Sequence, residues 1–444
     1  MYSFLRPFQR VLLRLTLGLI LCSGCQSYTP TPIDWAIETI TWTPANTNAI
    51  DLTLTVARQC ALILNPQINA VRLTQSNARQ AARAAGWWND PTLDFDALRI
   101  LRGGAHPWIS GAGVSFSLPL KGIPGIEKQA ATFYAHAAEL SVTVAEYELV
   151  AEVDQLWNAC VIELRHVAAM RHEMKQLNAH EQQLRTLVAI GEYPRDVIDT
   201  FVIQRLSHER ALSDSISEAE KRQYALRRLL GLHPTVPIKI SPETLLSQPA
   251  IVWPDDISLT RHPRVQASLA QLAVSESALL AEIRRQYPDL ELGPLYGNEE
   301  GENRLGLGLG IRLPLWNRNR QGLAEAEGRR AHARLEALET WRTLVANLHE
   351  TQAAWHTAHQ TTQHLKDQAL PTAQKTVAHT TRLFREGELD LLTLMSAETV
   401  CYQTQRSLRE AEQAEADILI RASLLNPENS VTKANAQPAS DEKE

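Results

Sequence analysis

The sequence predicts a mainly α-helical fold with a small β part, built twice from one internally duplicated unit. Three observations predict it. Short anchors recur at offsets of 195 to 197 residues. Residues 126–190 carry helical spacing with neither Pro nor Gly to interrupt it. Four short segments alternate apolar with small or polar residues at period 2.

In chain order, the first element is an export segment. Arg6, Arg10 and Arg14 precede the apolar run Leu15 to Leu21, which is shorter than the ~20 residues a membrane-spanning helix needs. A basic stretch, a short apolar run and small residues before a cut describe a secretory signal over 1–24. Ser23-Gly24-Cys25 resembles a bacterial lipobox, although Cys22 stands three residues before Cys25, where an aliphatic residue is usual. On that reading Cys25 carries a covalent lipid and heads a lipidated segment, 25–50. Ordinary signal cleavage nearby is the plainer alternative. Removing 1–24 takes away three positive charges and no negative ones, so the net charge moves from −6 to −9. No apolar stretch of 18 residues remains, so entry into a membrane interior cannot be as a helix.

The first repeat is assigned to 51–230 and the second to 259–426. Asn65-Pro66 aligns with His262-Pro263, Asp90-Pro91 with Tyr287-Pro288, Leu118-Pro119 with Leu313-Pro314, Gly191-Glu192 with Gly387-Glu388, and Leu230-Gly231 with Leu425-Asn426. Each repeat opens on an Ala-rich helical segment, 51–87 or 260–286. Two strands follow, 91–101 with 108–120, and 289–297 with 304–315. A long helix comes next, 126–190 or 320–386, and after a Gly-Glu turn a return helix, 195–230 or 391–425. The segment 231–258 holds Pro234, Pro237, Pro242, Pro249 and Pro254 and reads as an irregular linker at the level between the repeats. The tail 427–444 is polar and reads as disordered.

The long helices need partners. As one helix, 126–190 extends roughly 100 Å at ~1.5 Å per residue. Val153, Trp157, Cys160, Leu164 and Val167 step by four and three, a coiled-coil seam. Pro371 should bend the second long helix.

The strands have two unlike faces. Leu305, Leu307, Leu309, Ile311, Leu313 and Leu315 form one aliphatic row, against Gly306, Gly308, Gly310 and Arg312 on the other. Leu93, Phe95 and Ala97 alternate with Asp94 and Asp96. One aliphatic and one small or polar face fit membrane barrel strands with the leucine row toward lipid, and with Asp94, Asp96 and Arg312 toward a lumen. A soluble sandwich strand is the alternative, but no other strand pattern supplies its second sheet. Four strands cannot close, and open edges are not tolerated in lipid, so copies of the chain must pool their strands. Two copies give eight strands and three give twelve.

Composition and motifs exclude other classes. Hydrophobic residues are 44% and charged residues 21%, too rich in core formers for a disordered chain. Aromatics, at 6%, are few for a large single-chain barrel with aromatic girdles. A net charge of −6 without a basic tract argues against nucleic acid. Cys60, Cys160 and Cys401 lie singly in helices and read as packing residues. The Gly306–Gly310 pattern alternates like a strand and opens no helix, so it is not a nucleotide loop. His349-Glu350 has no His at 353, and no Gly-x-Ser-x-Gly elbow occurs, so no enzyme is expected. His356 and His359, three apart, share a helix face and are the weak candidates for a metal. Polar residues on a solvated face are the preferred account.

Taken together these residues resemble the TolC family of outer-membrane efflux channels over about 50–426. The run Leu313-Pro314-Leu315-Trp316-Asn317-Arg318-Asn319-Arg320-Gln321-Gly322 is similar to its CzcC-like heavy-metal branch, and Gly387-Glu388 before Leu391-Leu392 to its periplasmic turn. The resemblance implies a homotrimer with a twelve-stranded membrane β-barrel, four strands per chain, continuous with a long periplasmic α-helical barrel. It implies a passive exit duct in the outer membrane, docking to a periplasmic adaptor (membrane fusion) protein and an inner-membrane pump of the resistance-nodulation-division type, with metal cations as one cargo class. It places the tip, for adaptor docking or gating, at Gly191, Glu192, Asp196, Asp199, Glu386, Gly387, Glu388 and Asp390. No cofactor beyond the lipid on Cys25 is implied. A coiled-coil scaffold or adhesin lipoprotein without channel activity is the alternative.

Overall fold

The computed structural model describes residues 28–35, 49–99, 101, 108–240, 252–299, 302–311, 313 and 315–426. Cys25, Arg312 and the tail 427–444 lie outside the described residues. The chain divides into two compact units, 1–47 and 48–444, and the following concerns the second.

In order, the elements are β1 (Ile50–Leu52), α1 (Leu54–Leu64), α2 (Pro66–Ala84), β2 (Thr92–Arg99), β3 (Trp108–Leu118), α3 (Ile123–Ala189), α4 (Arg195–Leu229), β4 (Ile238–Ile240), a 3-10 turn (Ser258–Arg261), α5 (Pro263–Arg284), β5 (Leu290–Glu299), β6 (Glu302–Ile311), α6 (Arg320–His364), a π turn (Leu365–Ala369), α7 (Leu370–Arg385) and α8 (Leu391–Leu425). No described helix is long and apolar enough to cross a membrane.

The helix α3 is continuous for 67 residues, about 100 Å at 1.5 Å per residue. Its seam is buried as expected: Val153, Trp157, Cys160 and Val167 are inside, with Leu164 packed against them. Around Trp157 this seam packs with Leu52, Ala57, Ala61 and Ile68 and with Leu226 and Leu229 of α4 and Leu230 just after it. A smaller cluster, Leu259, Val265, Leu344, Leu348 and Leu425, serves the second repeat.

Three expectations are corrected. The segment 51–87 is two helices, because Pro66 has no amide hydrogen to continue α1 and starts α2 instead. Two short strands escape the sequence pattern: β1, at the start of the segment read as helical, pairs in parallel with β4, inside the segment read as irregular, Ile50 opposite Ile238 and Leu52 opposite Ile240. The strand expected over 304–315 is 302–311. Ile311 pairs with Leu290, the first residue of β5, so Leu313 has no partner strand and lies exposed beyond the end of β6. At Pro371, the residue expected to bend the second long helix, the helical path changes its winding. The π turn precedes it, with Leu370 N–H donating five residues back to the Leu365 carbonyl, which absorbs the hydrogen bond proline cannot make.

Candidate functional site

The four longer strands form one sheet in the order β2-β3-β5-β6, antiparallel throughout. Register carries one face across it. Leu305 lies opposite Tyr296, Leu307 opposite Pro294, Leu309 opposite Leu292 and Ile311 opposite Leu290. Leu292 continues to Phe116 and Tyr296 to Ala112, which in turn lies opposite Phe95, as Val114 does Leu93. This face is apolar from edge to edge, and its β6 leucines with Ile311 are 54 to 83% exposed. The other face collects Asp94 and Asp96 of β2, Gly111 and Gly113 of β3, Glu291, Gly293 and Leu295 of β5, and Arg304, Gly306, Gly308 and Gly310 of β6. Asp94 and Asp96 therefore stand where the alternation puts them, on the face opposite the leucines. An apolar face of this size on an open sheet demands a covering.

Glycine is required at one point of this sheet. A side chain at Gly293 would place its Cβ 1.6 Å from the Val114 carbonyl oxygen. The adjacent Pro294 lacks an N–H, and β3–β5 pairing is interrupted there, between Leu295 and Leu292.

At the far end of the helices lie two matching turns. Gly191 and Gly387 have φ of 87° and 75°. Glu192 N–H donates to the Leu187 carbonyl at 3.0 Å and Gly191 N–H to Val188 at 3.1 Å; Glu388 and Gly387 repeat this to Leu383 at 2.9 Å and Phe384 at 3.1 Å. These are Schellman motifs, which need the left-handed residue that glycine supplies. The two tips share one core of Leu177, Leu184, Phe201, Leu391, Leu394 and Met395. Around it Glu192, Asp196, Asp199, Glu386, Glu388 and Asp390 are all exposed. Asp390 caps α8, accepting from Thr393 N–H at 3.3 Å and from its hydroxyl; Asp196 sits in the first turn of α4. Both positions suit an anion at a helix N-terminus.

The structure also shows what the aligned Asn65 and His262 do, which sequence reasoning missed. Asn65 Oδ1 accepts from Gln67 N–H at 2.8 Å, and its Nδ2 donates to the Leu229 carbonyl at 2.9 Å. His262 Nδ1 accepts from Arg264 N–H at 3.2 Å, and its Nε2 donates to the Leu424 carbonyl at 2.9 Å. Each side chain starts one helix and ties it to the last turn of the return helix. Burial holds His262 below its ordinary pKa, in keeping with a neutral ring that both accepts and donates.

The run before α6 has a comparable role. Arg318 and Asn319 adopt positive φ of 43° and 54°, and Asn319 Nδ2 donates to the Glu282 carbonyl at 3.0 Å and to its carboxylate at 2.6 Å. This strained pair pins the start of α6 to the end of α5.

Carboxylates pair with cations between the helices. Arg58 grips Asp154 at 2.6 and 2.7 Å. His208 Nδ1 lies 2.9 Å from buried Glu173, whose hydrogen bond raises the histidine pKa. Nearby His166 is pushed down to about 4 by burial and then by Arg409 and Arg406. His359 is engaged on both nitrogens, by Glu415 at 2.7 Å and Gln363 at 2.9 Å, and stacks on Trp355, which His356 meets edge-on. Among the described residues no group of three or more His, Cys, Asp or Glu side chains could hold a metal ion. Burial raises the Cys160 thiol to about 12 and raises Cys60 and Cys401 as well, the behaviour of packing residues.

Known proteins bear on this geometry. Residues 256–423 match the model of the family "Outer membrane efflux protein". The cobalt-zinc-cadmium resistance protein CzcC of Cupriavidus metallidurans is 30% identical over 149 residues, a match spanning 33% of this chain and 36% of that protein's length. Among solved structures, CusC superposes with a TM-score of 0.72 at 16% identity, covering 91% of this chain and 100% of the other. The CmeC outer membrane channel of Campylobacter jejuni gives 0.74 at 13%, covering 92% and 96%. The outer membrane protein VceC of Vibrio cholerae gives 0.72 at 17%, covering 84% and 96%. Residues 256–423 are thus similar to the outer membrane efflux protein family, and across both halves the chain carries the fold of the solved outer-membrane channels.

Proposed function

We propose that the protein is the outer-membrane exit duct of a tripartite efflux system, a passive channel whose cargo is metal cations. The observation that carries this reading is the four-stranded sheet, open at both edges, with one face apolar from the Leu290–Ile311 end up to Tyr296 and Leu305 and polar only at the hairpin end, where Arg99, Ser110, Asn298 and Asn303 stand. Because its strands alternate in direction and are even in number, β6 of one copy can join β2 of the next antiparallel. Closure removes the open edges that lipid forbids. Three copies give twelve strands, as the family resemblance implies, and the long helices then continue the pore into the periplasm.

The inner face of such a barrel would carry Asp94, Asp96, Glu291, Glu299 and Glu302 against Arg304, an excess of negative charge that favours cations. The name of the cobalt-zinc-cadmium resistance relative supports the same cargo class. The duct performs no covalent chemistry. Energy comes from an inner-membrane pump of the resistance-nodulation-division type, reached through a periplasmic adaptor at the exposed tip around Gly191 and Gly387, where Glu192, Asp196, Asp199, Glu386, Glu388 and Asp390 line the docking or gating surface. The chain is held at the outer membrane by its barrel and by lipid on Cys25.

The test is assembly and conductance. The detergent-extracted protein should run as a heat-sensitive trimer and conduct cations across a planar bilayer. Leu307→Arg, which sets a charge on the lipid face at a cost of ~2–4 kcal/mol, should abolish insertion. A stable monomer that never inserts, with Leu307→Arg behaving like wild type, would leave a coiled-coil scaffold as the better reading.

A further inference from the structure

We propose that the cavity where the two hairpins meet is an acid-operated coupling: protonated His166 of α3 drives the middle of α8 away, while α4 stays tied to α3. The cavity, of about 970 Å³, lies between residues 162–173 of α3, 204–222 of α4 and 399–413 of α8. The first two helices form the hairpin of the first repeat, and α8 is the return helix of the second. Two nitrogens are buried there without a hydrogen-bond partner among the described residues, His166 Nδ1 and Arg409 Nε. Native structures leave few such atoms unmatched, and those that remain mark stored strain or a working part.

The charges around the cavity show why one more proton is disruptive. Glu173 is buried on α3, with His208 Nδ1 of α4 at 2.9 Å, and it is the carboxylate that acts most strongly on Arg409 of α8. The other acids are held elsewhere. Glu163 of α3 and Glu218 of α4 flank Arg222 at 3.8 and 3.3 Å, and Glu410 of α8 holds Arg406 at 2.9 Å. Lys221 reaches Glu218 at 3.7 Å, and Asp214 stands exposed on α4. His166 therefore faces Arg409 and Arg406 with only the engaged Glu410 in opposition. Burial first, then these two guanidiniums, push its pKa down to about 4. Its protonation sets a third cation against α8, and like charges in a poorly solvated cavity repel strongly. The ties of α8 that would resist are neutral: Tyr402, whose pKa burial raises, donates to Gln176 of α3 at 2.6 Å, and Gln204 of α4 donates to Thr399 at 3.2 Å. Toward the tip, His180 of α3 lies 3.5 Å from Glu398 of α8, a pair that protonation strengthens, so the release is confined to the turns around Arg409. Nor does α4 follow, because Glu173 raises the His208 pKa and the imidazolium stays charged as the pH falls. His166 binds its proton more readily once α8 has moved, so the open arrangement gains as the pH falls from the ordinary 6.5 through the lowered value.

On the channel reading, this coupling makes the wall of the duct compliant under acid. It does not itself require the sheet to be in lipid, so it can fail while the channel reading stands, and the reverse. Amide hydrogen exchange of the full chain in detergent tests it, with wild type and variant compared at the same pH so that the intrinsic chemistry of exchange cancels. Over residues 405–416 the ratio of wild-type to His166→Gln exchange should rise roughly tenfold between pH 7 and pH 5, because glutamine does not titrate. Over residues 391–400 and 201–215 the ratio should stay constant. Arg409→Gln keeps the histidine and removes the cation it meets, so it should lose most of the acid acceleration; it carries the test by itself if His166→Gln does not fold. A ratio over 405–416 that is the same at both pH values overturns the coupling, as does an Arg409→Gln chain that accelerates as strongly as wild type. Acceleration shared equally by 391–400 and 201–215 would be a general loosening and overturns it as well.

Discussion

In the first repeat an amide ties the start of a helix to the end of the return helix; in the second an imidazole does. Asn65 and His262 share neither charge type nor shape. Each nevertheless presents one acceptor to the amide two residues on, at 2.8 or 3.2 Å, and one donor to a carbonyl at 2.9 Å some 160 residues away. The duplication therefore keeps a geometric demand rather than a residue: a proline-started helix must be pinned to the hairpin that returns beside it. Elsewhere the repeats diverge. The first runs its long helix unbroken for 67 residues, whereas the second spends five on a π turn before Pro371. The first also holds the larger of the two buried clusters around Trp157 and Leu344.

That asymmetry gives the largest expected effect. Trp157 is fully buried in the first repeat's cluster, and Trp157→Ala should cost about 3–5 kcal/mol of stability. Leu344, in the smaller cluster of the second repeat, should cost about 2–3 kcal/mol as Leu344→Ala, the low end for such truncations. The difference reads directly in denaturation midpoints. A Leu344→Ala midpoint at or below that of Trp157→Ala would mean the second repeat, not the first, holds the helices together.

Next in size is the sheet, where both repeats meet. Gly293→Ala forces the β5 backbone away from Val114 and should destabilise the sheet by about 1–3 kcal/mol, seen as a lower yield of trimer. Gly306→Ala, with nothing within 4 Å of the new methyl, should assemble like wild type. Equal yields would show that the β3–β5 gap has slack.

Much of this was legible in the sequence, for a physical reason. The strands could be read because one face had to be apolar and the other small, so period 2 was written into Leu305 to Ile311. The tips could be read because a Schellman turn needs glycine at Gly191 and Gly387. The end of β6 could not, since Leu313 and Leu315 carry the same alternation past the point where β5 stops offering partners. The β1–β4 pair was hidden because three residues are too few to show a period. The sequence aligned Asn65 with His262 but could not reveal their shared task, which depends on carbonyls of Leu229 and Leu424 that only the fold brings near.

The pinning comparison makes a smaller prediction. Asn65→Ala loses a helix cap and a buried hydrogen bond and should cost about 1–2 kcal/mol. His262→Asn places in the second repeat the side chain that already serves the first, and its midpoint at neutral pH should stay close to wild type. A loss as large as that of Asn65→Ala would mean the imidazole fills space an amide cannot.

The finest distinction lies in pH. His262 is held below its ordinary value of 6.5 by burial, with Arg264 adding to the depression and Glu148 opposing it. A base with a lowered folded pKa binds fewer protons in the native state than when unfolded. Its stabilising effect is complete above 6.5 and is lost as the pH falls from there through the lowered folded value. Protonation also removes the Nδ1 lone pair that accepts from Arg264. His166, near 4, adds to the loss over the same range. His208 acts oppositely: its pKa is raised by Glu173, so its contribution is complete below 6.5 and fades as the pH rises through the raised value. Midpoints measured across acid pH should therefore fall less steeply for His262→Asn than for wild type, because asparagine does not titrate. Parallel curves would show that His262 is already protonated when folded and that its ring does not accept from Arg264, which would break the equivalence between the two repeats at its most specific point.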